Sequence, residues 1–297
     1  GEGVVNFLAG PFVRDCVLDA MQHSYEVFTK CIVTSRSVDE VEALFPNFDR
    51  DPFHPNEFVN TTREADMLIR IQCVKPMGFY DYCKQAFLTI DTLLALPPGE
   101  GKSMILDPLN IRDDLTLPEL KVLGDIDEHF QKDPSKVFYL ILMSVQLRKK
   151  IPEVYHLSLI ENAPRVSKLP LHQFLEQFRR LFCRGFAQAM MQTLLEFKEV
   201  SGLFDAFANH YITQLKQKET LLGYVFSVFA YWDSLPRQER AKITSFDVLS
   251  LFLLQEVLVL KKGIHKLDAA IHHVVESFAN RYPGEHGEWN DEMKETL

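Results

Sequence analysis

Between residues 171 and 200 apolar side chains return every three or four positions: Leu171, Phe174, Leu175, Phe178, Leu181, Phe182, Phe186, Met190, Leu194 and Phe197. Only a helix places that spacing on one face, and a stripe of about eight turns has to be covered along its whole length. The neighbours that cover it are expected to be helices too. The pattern therefore predicts an all-α protein, a multi-helix bundle or irregular α-solenoid with this long helix at its centre. Gly185 inside the stripe marks a close approach of another helix, and Ser201–Gly202 ends it.

Helix signals recur elsewhere. Pro11 opens a segment with apolar residues at Phe12, Cys16, Val17, Ala20, Met21 and Phe28, a helical spacing behind a residue suited to a first helical position. Ser37 with Glu40, Thr61 with Glu64, Thr116 with Glu119 and Thr244 with Asp247 have the spacing of capping boxes. Phe79, Cys83, Ala86, Phe87, Ile90 and Leu94 form another stripe. Asp133–Pro134 opens a helix that runs to about Lys149, although its apolar stretch 137–145 also has the length of a buried strand. Further helices are expected at 203–217, 219–233, 245–260 and 264–281. No βαβ alternation and no internal repeat is visible. The loop 96–115 is the seam in this reading. It separates an N-terminal helical subdomain (1–95) from a C-terminal helical bundle (116–282), with an acidic tail at 283–297.

Composition fits packed helices, with 23 Phe against 13 Gly and 46% apolar residues. The net charge of −9 argues against broad, non-specific nucleic-acid binding but leaves room for a local basic patch. Five cysteines (Cys16, Cys31, Cys73, Cys83 and Cys183) are scattered with no CxxC pair. That excludes a disulfide framework and points to a reducing, intracellular compartment, cytoplasmic or nuclear. The most apolar run, 246–260, is interrupted by Asp247, Gln255 and Glu256 and reads as a buried helix, not a membrane span.

One stretch invites a chemical reading. Residues 97–103 are PPGEGKS, and Gly101, Lys102 and Ser103 match the end of the phosphate-loop pattern G-x-x-x-x-G-K-[ST], while Leu96 stands where its first glycine belongs. The wider stretch LLALPPGEGKSMILDPL resembles motif I of superfamily 2 helicases and of SecA-type motor ATPases. The resemblance implies that Lys102 and Ser103 hold the phosphates and the magnesium of a nucleotide. It also implies that Asp127–Glu128, in DIDEHF, is the acidic pair beside that metal. Such a loop needs a parallel sheet to aim it, and these surroundings read as helical. The other reading is a proline–glycine turn with a solvated lysine, and it is the one preferred.

The remaining constellations are weaker. His265, Asp268, His272 and Glu276 share one helical face; they read as a solvated polar edge in preference to a metal site. Arg281 and His286 have the R-x4-H spacing of some helical RNases, but Pro283–Gly284 break the helix it requires. No G-x-S-x-G elbow and no supported Cys–His pair occurs. The sequence therefore predicts no catalytic residue, no metal and no cofactor.

Charge is polarised in the middle of the chain. Residues 99–130 carry eight acids against three bases, and 148–184 carry eight bases against three acids. Arg148, Lys149, Lys150, Arg179, Arg180 and Arg184 are the candidate patch for a partner with an acidic or amphipathic-helical surface. RNA is the other candidate for it, less favoured because the nearby Phe residues fall on the core stripe. The resulting expectation is a non-enzymatic helical interaction module, an adaptor or scaffold subunit. The alternatives are a phosphate-loop nucleotide-binding protein and an RNA-binding helical protein using 148–184.

Overall fold

The computed structural model describes residues 6–20, 29–50, 55–60, 68–74, 78–96, 104–169, 171–196, 219–245, 247–248 and 251. They belong to two compact units, Gly1–Asp125 and Ile126–Leu297.

The first unit overturns the all-α expectation, because it is built on a sheet and the fold is mixed α/β. Its strands are β1 (Asn6–Ala9), β2 (Thr29–Thr34), β3 (Phe48–Arg50), β4 (Glu57–Asn60), β5 (Leu68–Cys73), β6 (Leu94–Ala95) and β7 (Ile105–Leu106), ordered β3-β4-β5-β2-β1-β6-β7. β2 runs parallel to β5, with Ile32 opposite Ile71, and antiparallel to β1, with Phe7 opposite Val33. Its sequence, TKCIVT, is mostly β-branched, as suits a central strand. In β5 the apolar Ile69, Ile71 and Cys73 alternate with Arg70 and Gln72, the period of a pleated strand.

Because neighbouring strand residues face opposite ways, the sheet has a core on each side. Phe7, Ala9 and Val33 pack with Cys83 and Leu94 on one side, where the Phe7 and Phe79 rings meet edge-to-face at 4.5 Å. Ile32 joins Val41, Phe58, Ile71 and Cys73 on the other. Three short helices complete the described part of the unit: α1 (Pro11–Ala20), α2 (Val38–Leu44) and α3 (Phe79–Lys84). The Ser37–Glu40 capping box is formed at the start of α2. The expected stripe from Phe79 to Leu94 is divided among α3, a 3-10 turn (Thr89–Asp91) and β6. Residues 105–115 of the expected linker lie in this unit and supply β7.

The second unit is helical where it is described: α4 (Ile126–Lys132), α5 (Lys136–Leu147), α6 (His156–Asn162), α7 (Leu171–Phe182), α8 (Ala187–Glu196), α9 (Glu219–Ser234) and α10 (Arg237–Arg240). The long central helix is two helices. Its stripe is continuous, but the chain turns between α7 and α8, where Gly185 takes φ +84°. Six rings run through the core in sequence of contact: Phe138, Phe174, Phe178, Phe182, Phe229 and Trp232, with centroids 4.8–5.8 Å apart. Rings placed four residues apart on α7 thus bridge α5 to α9, which is what the many phenylalanines are for. Among the described residues no helix is long and apolar enough to cross a membrane.

Candidate functional site

The corner between β1 and α1 carries a buried, heavily braced charge cluster. Gly10 turns the chain at φ +66°, and its N–H donates to the Leu93 carbonyl at 3.3 Å. One turn later Arg14 is 1% exposed and Asp15 and Asp91 are buried with it. The Arg14 Nε and Nη2 reach Asp15 Oδ1 at 2.7 Å, and Nη1 reaches Asp91 Oδ1 at 2.7 Å. One guanidinium therefore ties the helix to the 3-10 turn that precedes β6, across 77 residues of sequence. The sequence reading missed this triad. The available signal was an Arg-Asp pair inside the apolar run PFVRDCVLDA.

Thiols on this side of the sheet are not poised nucleophiles. Cys31 Sγ lies 3.6 Å from the Tyr82 hydroxyl, and burial raises both groups, Tyr82 well above its ordinary value. Burial also pushes the Cys83 thiol up to about 11. All three stay protonated near neutrality.

The phosphate-loop candidates Gly101, Lys102 and Ser103 lie outside the described residues. Their surroundings are described: β6 and β7 are antiparallel partners, with Leu94 opposite Leu106, and the Leu96 N–H donates to Met104 at 2.9 Å. The loop thus joins two strands of a hairpin, whereas a phosphate loop joins a strand to a helix. The acidic pair suggested with it is engaged locally. Asp127 accepts from Ser158 Oγ at 3.1 Å and Asn162 Nδ2 at 2.8 Å, and Glu128 faces Lys132 at 3.5 Å. The His265–Glu276 face and the Arg281–His286 pair lie outside the described residues.

The basic patch divides into two sets. Arg179 and Arg180 both clasp Glu176, at 2.9–3.0 Å, and Arg179 also reaches the Ile243 carbonyl at 3.4 Å. Burial alone would raise the Glu176 carboxyl, but the two arginines outweigh it and hold it below its usual value. At the end of α5 the arrangement differs. Arg148 and Lys150 are exposed, while Lys149 between them is buried. Arg184, in the turn after α7, reaches Gln146 in the last turn of α5 at 3.5 Å. At the other end of α5, Lys136 Nζ meets His129 Nδ1 at 3.1 Å, and burial lowers the lysine's value against the pull of Asp133.

The turn between α7 and α8 is built around Gly185, which the sequence singles out, and two residues that sequence reasoning missed. Asp233, on α9, accepts from the Ala187 and Gln188 N–H groups at 2.7 and 3.0 Å and so caps α8. Arg240 donates to the Leu235 carbonyl at 2.8 Å, and its guanidinium lies against Gly185, where a Cβ would come within 3.1 Å.

No protein-family profile and no curated protein matches the sequence. Solved structures match its fold. A Bacillus stearothermophilus CCA-adding enzyme in complex with CTP superposes with a TM-score of 0.55 at 16% identity, covering 99% of this chain and 78% of that one. A tRNA nucleotidyltransferase complexed with a primer tRNA and an incoming ATP analogue gives 0.57 at 12% identity, covering 99% and 95%. A tRNA-processing enzyme gives 0.57 at 12% identity, covering 99% and 88%. These neighbours are enzymes, so the expectation of a non-enzymatic helical adaptor or scaffold is corrected along with the all-α fold that supported it. The chain's fold is similar to that of the CCA-adding tRNA nucleotidyltransferases.

Proposed function

We propose that the protein is a nucleotidyltransferase-type enzyme that acts on RNA, with a nucleoside triphosphate as the second substrate. The observation that carries this reading is the fold likeness, which extends over 99% of the chain to proteins described with CTP or with a primer tRNA and an ATP analogue. A local resemblance confined to a sheet would say much less. The Arg14 brace supports the reading in a limited way. It fixes the corner where β1 passes into α1, and an active site needs such rigid placement of its walls.

Phosphoryl transfer of this class ordinarily uses divalent cations held by carboxylates. Among the described residues no three His, Cys, Asp or Glu side chains gather to hold one. β2 carries no carboxylate, and Asp15 and Asp91 both engage Arg14. The described residues do not fit a metal pair. Lys102 is retained as a candidate nucleotide-phosphate contact, offered from a hairpin loop.

The test is direct. A tRNA transcript lacking its 3′-terminal CCA is incubated with the chain and each radiolabelled nucleoside triphosphate, in magnesium and in manganese. Incorporation into the transcript is the expected result. Failure with all four nucleotides in both metals overturns the proposal. Loss of nucleotide binding in Lys102→Ala, read by titration calorimetry, would add that lysine to the site.

A further inference from the structure

We propose that the end of α5, through Arg148 and Lys150, is a contact surface for the phosphodiester backbone of RNA; this rests on the reading of the chain as an enzyme that acts on RNA. The geometry separates Arg148 and Lys150 from the rest of the basic zone. Arg179 and Arg180 are committed to Glu176. Arg148 and Lys150 point outward, and no carboxylate among the described residues pairs with either. No acid occurs between residues 146 and 152 or between 177 and 195.

The surroundings favour RNA over an acidic protein. Leu147, Lys149 and Ile151, which alternate with the exposed cations, are all buried. Between Gln146 and Pro152 the exposed side chains are cationic alone, and the next exposed apolar residues in sequence are Val154 and Leu157. Protein interfaces draw their affinity from buried aromatic and aliphatic anchors, whereas phosphate contacts need only accessible positive charge. Arginine adds a planar fork that matches phosphate oxygens.

Arg148 has a second property that makes the proposal sharp. It closes α5 in the left-handed conformation, at φ 53° and ψ 39°, with its N–H turned back to the Ser144 and Val145 carbonyls. Glycine is the usual residue at such a position, because every other side chain is strained there. An arginine thus stands, exposed, at a position that suits glycine. Arg148→Gly therefore removes the charge without disturbing the helix end.

The experiment measures binding of a tRNA transcript by the full chain across a salt series, for the wild type, Arg148→Gly, the Arg148→Gly/Lys150→Ala double variant and Lys242→Ala. Lys242 is an exposed base paired with Glu239 and serves as the control. The double variant is expected to bind at least tenfold more weakly at 0.1 M salt. Each lost contact should flatten the slope of log affinity against log salt by about 0.7. The thermal midpoint should not fall, and Lys242→Ala should bind as the wild type does. Wild-type affinity and slope in the double variant would overturn this surface while leaving RNA binding intact elsewhere. No RNA binding by the wild type would overturn both this inference and the reading beneath it. Binding of polyglutamate as tightly as of RNA would reassign the surface to an acidic protein.

Discussion

Each unit of this protein buries an arginine, and the contacts described for the two differ in kind. Arg14, in the first, is held by two carboxylates, Asp15 and Asp91. Arg240, in the second, donates to backbone carbonyls, those of Leu235 and Asp233, while the Asp233 carboxylate turns away to cap α8. The first arrangement stakes the fold on three buried charges remaining together. The second leaves its carboxylate a separate task at a helix end. A buried ion cluster is costly to assemble and more costly to break, because removing one member strands the others. The bonds from Arg240 to the Leu235 and Asp233 carbonyls have neutral acceptors, so their loss strands no buried charge.

The largest effect should follow from breaking the first cluster. Arg14→Met leaves two buried carboxylates without their cation, and chemical denaturation should show a loss of about 3–5 kcal/mol. A loss as small as that of an ordinary surface substitution would show that the triad is hydrated in solution and not closed.

Next comes the elbow of the second unit. Gly185→Ala places a Cβ against the Arg240 guanidinium at a backbone φ of +84°, and should cost about 2 kcal/mol, mostly from the left-handed backbone. The same denaturation measurement checks it. Combined with Arg240→Ala the cost should be less than the sum, because the two residues share one contact.

Asp233→Asn removes the charge that caps α8 and should cost about 1 kcal/mol. It also carries a pH signature. Burial raises the Asp233 carboxyl above its ordinary 3.8, against the hydrogen bonds from Gln188 and Ala187 and the charge of Arg240. The folded chain then holds this proton more tightly than the unfolded one. Its contribution favours folding below 3.8 and is lost as pH rises through the folded value. Stability curves of the wild type and Asp233→Asn should differ most in shape over that window, and parallel curves would contradict the direction of the shift.

Glu176→Gln tests the division of the basic patch. It releases Arg179 and Arg180 from their carboxylate partner, so the salt dependence of RNA affinity should steepen. An unchanged slope would place both arginines out of reach of RNA. The smallest expected effect is on the stability of Arg148→Gly, within about 0.5 kcal/mol of the wild type.

What could be read from the sequence was local. The capping box of Ser37 and Glu40 and that of Thr244 and Asp247 are both formed as their spacing predicts. The helix opened by Asp133–Pro134 is α5, and the helix expected at 219–233 is α9. In each case the partners lie within one or two turns of one another. The strands were not legible in the same way. β2 and β5 are six residues each, too short for a period to stand out, and the stretch that follows the apparent capping pair at Thr61 and Glu64 contains β5 from Leu68. The stripe residues from Phe174 to Leu194 are buried or half-buried, but they lie on two helices and not one, since the break depends on Asp233 and Arg240, about fifty residues away.

The sequence by itself determined which stretches carry an apolar face, where several helices begin, and which charges cluster along the chain. The tertiary structure alone decided that Thr29 pairs beside Leu68, that Asp91 closes on Arg14, and which basic residues stay open to solvent. The reason is physical. Helix hydrogen bonds and caps close within a few residues, so the sequence window contains both partners. Sheet pairing and ion clusters close over tens of residues, and only the folded chain brings those partners together.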